Sequence, residues 1–173
     1  YGSISRGFRG GGANPPGAPN PFWQGDSVWT YELGDKITSD DGQFTLNSAI
    51  YYNDYDHYIG QNALTPTLIA VNLNTGKVKS YGIELEGIWT PSQYFQVRAG
   101  GTYNKARITD DSEFAAIIGH GLPSDRILFQ PDFNGFVSAN ATFPVGPGEI
   151  RTDVTASYKG ERVGSTLSPT VFP

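Results

Sequence analysis

The stretch "YGIELEGIWT", residues 81–90, alternates almost without fault. Tyr81, Ile83, Leu85 and Trp89 fall on one side; Glu84, Glu86 and Thr90, with Ser80 just before them, fall on the other. Successive side chains of a β-strand face opposite ways, so this segment has one apolar face and one wet, acidic face. A soluble sandwich turns such an apolar face to a core, and a membrane barrel turns it to lipid. Alternation alone does not choose between them.

Four other stretches carry the same period. Residues 43–55 set Phe44, Leu46, Ile50 and Tyr52 against Gln43, Thr45, Asn47 and Asn53. Residues 94–108 set Phe95, Val97, Ala99 and Tyr103 against Gln96, Arg98, Thr102 and Asn104, and 149–160 set Ile150, Val154, Ala156 and Tyr158 against Arg151, Asp153, Thr155 and Ser157. Residues 28–36 set Trp29, Tyr31 and Leu33 against Thr30, Glu32 and Lys36. A fifth, 133–143, is less regular because Phe136 falls on the polar side, and it starts after Pro131, which would break a central strand. Soluble strands run about 5–6 residues, whereas membrane-spanning ones need about 9–11. These are long enough to span.

The connections fall into two classes. "SDDG" (39–42), "PSQ" (91–93) and "PVGPG" (144–148) hold the Gly, Pro and Asp of tight turns. The others, 10–26, 60–76 and 109–126, are long, and short and long alternate strictly. From Ser39 to Pro91 is 52 residues and from Pro91 to Pro144 is 53, one hairpin per repeat. Outer-membrane barrels alternate short periplasmic turns with long extracellular loops. On the apolar faces the middle positions are often small (Ser48, Gly87, Ala99, Gly101, Ala139, Ala156) and the aromatics stand near the strand ends. A protein core needs volume at those central positions, whereas lipid fills the gaps by itself. The pattern therefore predicts an all-β, antiparallel up-and-down transmembrane segment of about seven strands.

Composition agrees. Charged residues are 17%, below the roughly 25% of ordinary soluble domains. A net charge of −5 argues against nucleic acid, and the lack of cysteine removes disulfides, thiolate metal sites and a thiol nucleophile. No run of 18 apolar residues offers a spanning helix. The chain has no Met, and it opens and stops in mid-pattern, which reads as an interior piece of a longer polypeptide.

"YGSISRGFRGG", "VWTYELGDK", "AIYYNDYDHYI", "NTGKVKSYGIELEGIWTP" and "YFQVRAGGTYNKARI" follow one another in that order. Together they resemble the later part of the barrel of TonB-dependent outer-membrane receptors. Tyr31–Gly34 and the Ser-Tyr-Gly-Ile-Glu-Leu-Glu of 80–86 are the most specific pieces, and the likeness weakens after about residue 145. The resemblance implies a bacterial outer-membrane barrel of about 22 strands with a plug domain inside. It further implies import of a scarce siderophore-iron, vitamin or oligosaccharide, driven by a TonB-type energy-transducing complex. On that reading 1–173 is a partial barrel domain, the plug is absent from these residues, and the partners are plug, energy complex, ligand and outer-membrane lipid. A passive porin and a soluble β-sandwich binding module are the alternatives.

Catalysis finds no support. Glu84 and Glu86 stand two apart on one face, where a wet barrel lumen accounts for them better than an acid–base pair. His57 and His120 have no second ligand at metal spacing. "NDYDHYIG" lacks the sixth-position Gly and the twelfth-position Glu of a calcium loop. No cofactor is implied and the chain is not expected to be an enzyme. Phe22 and Trp23 (read as exposed), with His57, Tyr58 and His120, offer stacking or hydrogen-bonding surface at the long-connection end and are the candidate ligand contacts.

Overall fold

The computed structural model describes residues 1–64, 70–164 and 171–172; part of the second long connection, 65–69, and most of the closing "SPTVFP" lie outside the described residues. The elements in chain order are Gly2–Arg9 (β1), Gly12–Ala13 (β2), Phe22–Trp23 (β3), Asp26–Thr38 (β4), Phe44–Asp56 (β5), Ile59–Leu64 (β6) and Ala70–Asn74 (β7). Lys77–Ser92 (β8), Phe95–Asp110 (β9), the helix Ser112–Ile118 (α1), Phe133–Val145 (β10), Gly148–Lys159 (β11), Arg162–Val163 (β12) and Val171–Phe172 (β13) complete them.

Seven strands form one sheet in the order β1-β4-β5-β8-β9-β10-β11, each antiparallel to its neighbours. This is the up-and-down wall that the alternation predicts. The sheet is open, with β1 and β11 at its edges. β10 starts at Phe133, clear of Pro131. At the short-turn end, Asp41 Oδ1 accepts the Ser39 hydroxyl (2.6 Å) and the Gln43 N–H (3.0 Å), while Gly42 takes a φ of 68°. Gly146, at φ 56°, turns the two-residue link between Val145 and Gly148. Both glycines stand where a side chain would be strained.

Directly opposed residues share a face, so the register assigns every side chain. One face carries Ile4, Tyr31, Leu33, Phe44, Ile50, Tyr52, Tyr81, Ile83, Leu85, Trp89, Tyr103, Phe133, Val137 and Val154. Most of these are exposed: Ile4 at 70%, Leu33 at 60% and Val154 at 63%. The chain exposes 10454 Å², against about 8,300 Å² for a compact monomer of its mass. Nothing among the described residues covers this face. Its one carboxylate in the middle of the band, Asp35, is met by the hydroxyl of Ser48 across the strand pair.

Two aromatic rows bound the band. Tyr31, Tyr52 and Tyr81 form a cross-strand row toward the long connections, with Tyr103 and Phe133 opposed in the next row beside Ile83; Phe44 and Trp89 face each other near the short turns. Tyr81 and Trp89 stand eight residues apart on β8. At about 3.4 Å per residue and a tilt of about 40°, that separation spans roughly 21 Å. An outward apolar band about 25 Å tall between aromatic girdles is what a membrane barrel presents.

The opposite face holds Glu32, Lys36, Asn47, Asn53, Ser80, Glu84, Glu86, Arg98, Thr102 and Asn134. Phe136, the apolar residue that broke the pattern, lies on this face over Gly100, where an added Cβ would come within 2.7 Å of its ring. Tyr51 covers Gly82 in the same way. The ring fills the space a neighbouring glycine leaves, so Phe136 is packed rather than misplaced.

Gly100→Val should therefore displace Phe136 and cost about 1–3 kcal/mol. Thermal unfolding in detergent should show the loss, and the Gly100→Val/Phe136→Ala pair should recover part of it in a double-mutant cycle.

Candidate functional site

All three long connections close at their roots on an ion pair between the strand that enters and the strand that leaves. At the first, Arg9 Nε donates to both carboxylate oxygens of Asp26, at 2.9 and 3.0 Å. Asp26 is 5% exposed and also accepts the Ile59 N–H at 3.1 Å. At the second, Lys77 Nζ stands 3.5 Å from Asp56, with both side chains more than half exposed, a pairing that adds little. At the third, Arg107 is bidentate to Asp132, at 2.9 and 2.5 Å. Charge-assisted forks of this kind fix geometry as well as energy.

Beyond the roots the connections pack on one another. Asn14 donates to the Asn72 carbonyl (2.9 Å) and accepts the Asn72 N–H (2.9 Å), so its amide acts as a further strand residue. Asn74 does the same for Gln24, at 2.7 and 3.0 Å, and also donates to the His57 carbonyl at 2.7 Å. The third connection joins through α1, whose Phe114 (3% exposed) packs with Val71 and Leu73. Ala18, Ile117, Ile118 and Leu122 surround that cluster. Gly119 ends the helix at φ 92°, its N–H bonded to the Ala115 carbonyl. The helix is a departure from the expected loop over 109–126.

Among the described residues, the five candidate residues have different surroundings. Phe22 stands 68% exposed on β3. Trp23, read from sequence as exposed, is half-buried instead, because its ring lies over Gly12, its cross-strand partner. His57 Nδ1–H donates to Glu113 Oε1 at 2.8 Å, tying the second connection to α1. Tyr58 is half-buried, its ring edge-on to Tyr55 at 5.5 Å and beneath the Arg9 guanidinium at 5.4 Å. Burial, ahead of Arg9's opposing charge, raises the Tyr58 phenol above its ordinary value. His120 meets Phe114 edge-on and bonds the Gly121 carbonyl. Arg9 and Tyr55, which the sequence did not single out, thus share a patch with Tyr58. Glu84 and Glu86 line the polar face, Glu86 lying 3.9 Å from Arg98. Among the described residues no group of three or more His, Asp or Glu is placed to hold a metal ion, and no helix is long and apolar enough to cross a membrane.

A family model described as "TonB dependent receptor-like, beta-barrel" matches residues 1–171. The chain belongs to this family. Members of the TonB-dependent receptor family are outer-membrane β-barrel transporters. Its fold is similar to the ferric yersiniabactin uptake receptor FyuA from Yersinia pestis, at 21% identity and a TM-score of 0.74, over 95% of this chain and 24% of that one. It is also similar to BauA, the ferric preacinetobactin receptor from Acinetobacter baumannii, at 18% identity and 0.63, over 94% and 23%. At these identities the likeness is one of fold. The chain spans about a quarter of either receptor's length.

In this TonB-dependent receptor barrel, Phe114→Ala should cost about 3–5 kcal/mol of local stability. Protease cleavage within 111–132 should then speed up while the wall strands stay protected.

The Asp132 carboxyl is held below its ordinary 3.8, first by the hydrogen bonds from Arg107, then by the charges of Arg107, Arg126 and Lys105. A lowered folded pKa gives stability that is complete above the unfolded value and lost as pH falls through the folded one. Amide exchange over 125–132, corrected for intrinsic rates, should be flat down to the ordinary value of 3.8 and rise below it. Asp132→Asn should exchange faster throughout and show no such step.

Proposed function

We propose that this chain is a section of the wall and mouth of an outer-membrane receptor that takes up a scarce small molecule by energy-coupled transport. The observation that carries the proposal is the single uncovered apolar face between two aromatic rows, backed by a face of carboxylates, amides and hydroxyls. Lipid meets the first face. Water and a plug domain outside these residues meet the second, with Glu84 and Glu86 among the lumen-facing contacts. Seven strands with two open edges do not close a barrel, so transport belongs to the longer protein.

The long connections face the cell exterior in this reading, because alternate links of an up-and-down sheet lie at one end and the tight turns occupy the other. Ligand contact falls to the exposed Phe22 and to the Tyr58–Tyr55–Arg9 patch. His57 ties the second connection to the third through Glu113, His120 packs within the third, and Trp23 stiffens the hairpin behind Phe22. A siderophore-iron complex is the favoured ligand class, since both receptors sharing the fold carry ferric ligands in their names. Apart from fold, the uncovered face argues against the sandwich module, whose second sheet would have to lie on it.

Leu85→Arg in the full-length receptor should cost about 2–4 kcal/mol near the midplane, and Glu84→Gln should be tolerated. Single cysteines at 83 and 85 should react with lipid-soluble reagents only, and labelling of either by a water-soluble reagent overturns the assignment. An epitope tag inserted after Gly17 should be reached by antibody on intact cells, and one at Asp41 should not; the reverse result inverts the topology. Gly17 suits the insertion better than Asn14, whose side chain ties two connections together.

A further inference from the structure

Transport gives no reason for the charges that lie one step beyond the tyrosine row on the apolar face. The register runs Arg6, Trp29, Asp54, Lys79, Arg107, Arg126 across adjacent segments, each residue directly opposite the next. The next row toward the short turns runs Tyr31, Tyr52, Tyr81, Lys105. Opposed residues share a face, so these cations stand on the side of Tyr81, Ile83 and Leu85. Like charges set directly opposite destabilise a sheet, and Lys79, Arg107 and Arg126 are three in succession.

Only one of them, Arg107, pairs directly with a carboxylate, although the charge of Asp132 also reaches Arg126 and Lys105. Asp132 lies 2.5 Å and Asp125 3.9 Å from Arg107. Lys79, Lys105 and Arg126 enter no ion pair among the described residues, although Asp54 stands in the row beside Lys79. Arg126 donates through Nη2 to the Glu161 carbonyl at 2.7 Å, while its Nε is shielded from water with no acceptor. A cavity of about 300 Å³ opens there, lined by Arg107, Arg126, Asp132 and Glu161 with Phe133 and Tyr158 as an aromatic floor. At the far end of the row the Arg6 guanidinium rests on Trp29, 5.5 Å from the ring centre.

We propose that this row is a docking surface for the phosphate of anionic lipid headgroups in the leaflet nearest the long connections. The inference rests on the membrane reading given above. Interfacial tyrosines sit at headgroup level, and the cation row lies two residues, about 7 Å, further along the strands. A phosphate there meets Lys79 and Lys105 on one side and the Arg126 guanidinium on the other. Its acyl chains run down over Tyr103, Phe133 and Ile83. Asp54, Asp125, Asp132 and Glu161 keep the row from being uniformly positive, so contact concentrates on those three cations.

Trp29 sits in the row and reports on it once the receptor's other tryptophans, Trp23 and Trp89 among them, are replaced by phenylalanine. The full-length receptor, reconstituted in phosphatidylcholine vesicles, is titrated with brominated phosphatidic acid or brominated phosphatidylcholine, and tryptophan quenching is followed. The wild type should prefer phosphatidic acid, and the preference should fall about fivefold for each charge removed in Lys79→Gln, Lys105→Gln and Arg126→Gln. Lys36→Gln, on the polar face, should keep it. Unchanged quenching by brominated phosphatidylcholine shows that the variants still insert. An equal preference in the wild type and the triple variant overturns the proposal and leaves the membrane reading intact, and so does its loss in Lys36→Gln. Abolition of the preference by millimolar inorganic phosphate overturns it too, because the site then takes a free anion. Absence of quenching by either lipid overturns the membrane reading and the proposal together.

Discussion

The interstrand hydrogen bond carries this structure. In most domains a buried core holds the elements together and the backbone bonds follow. Here no side chain in the lower part of the sheet is buried, and those that are buried cluster at the long-connection end. What fixes β4 against β5, or β8 against β9, is the ladder from Thr38–Thr45 up to Ser27–Asp56 and its counterparts. In water such bonds gain little net energy because solvent competes for both partners. In hydrocarbon there is no competitor, and a broken pair costs several kcal/mol. The wall is strong only in the solvent its apolar face selects.

The cap follows different rules. Val71, Leu73 and Phe114 form an ordinary core, driven together by water, and Asn14 and Asn74 replace missing strand partners with side-chain amides. One short chain therefore uses two solvents, and the change falls near the tyrosine row. On the polar face Val78 and Ala106, above that row, are already buried, whereas Glu84 and Glu86 below it are exposed.

This division explains what the sequence reveals. A wall residue has one strand neighbour on each side and an environment set by parity, so alternation in 43–55 or 81–90 reads directly as structure. Phe136 broke that parity because its reason, Gly100, lies on another strand. Contacts in the cap are likewise long in range. Nothing local to Asn74 says that it will hold Gln24 fifty residues earlier, and nothing local to Trp23 says that Gly12 will give it cover. The helix was legible in part: Phe114, Ile117 and Ile118 stand at helical spacing ahead of Gly119, a signal lost inside a stretch read as loop. Of the candidate site residues, parity separated Glu84 and Glu86 from the apolar face, but it could not tell which aromatic side chains in the connections would pack and which, like Phe22, would stay free.

The ion pairs at the three loop roots have a consequence for how such a protein diversifies. Arg9–Asp26 and Arg107–Asp132 fasten the first and third connections where they leave the wall, so changes of length beyond the fastening need not disturb strand register. Taken singly, each connection would be an independent cassette. The shared core denies that independence, since Phe114 of the third connection packs on Val71 and Leu73 of the second, and Asn14 of the first is bonded to Asn72 of the second. Recombination that swaps one connection leaves two others with unmatched surfaces. The three connections are therefore one structural unit, in which a change to the shared core of one has to be matched in the others.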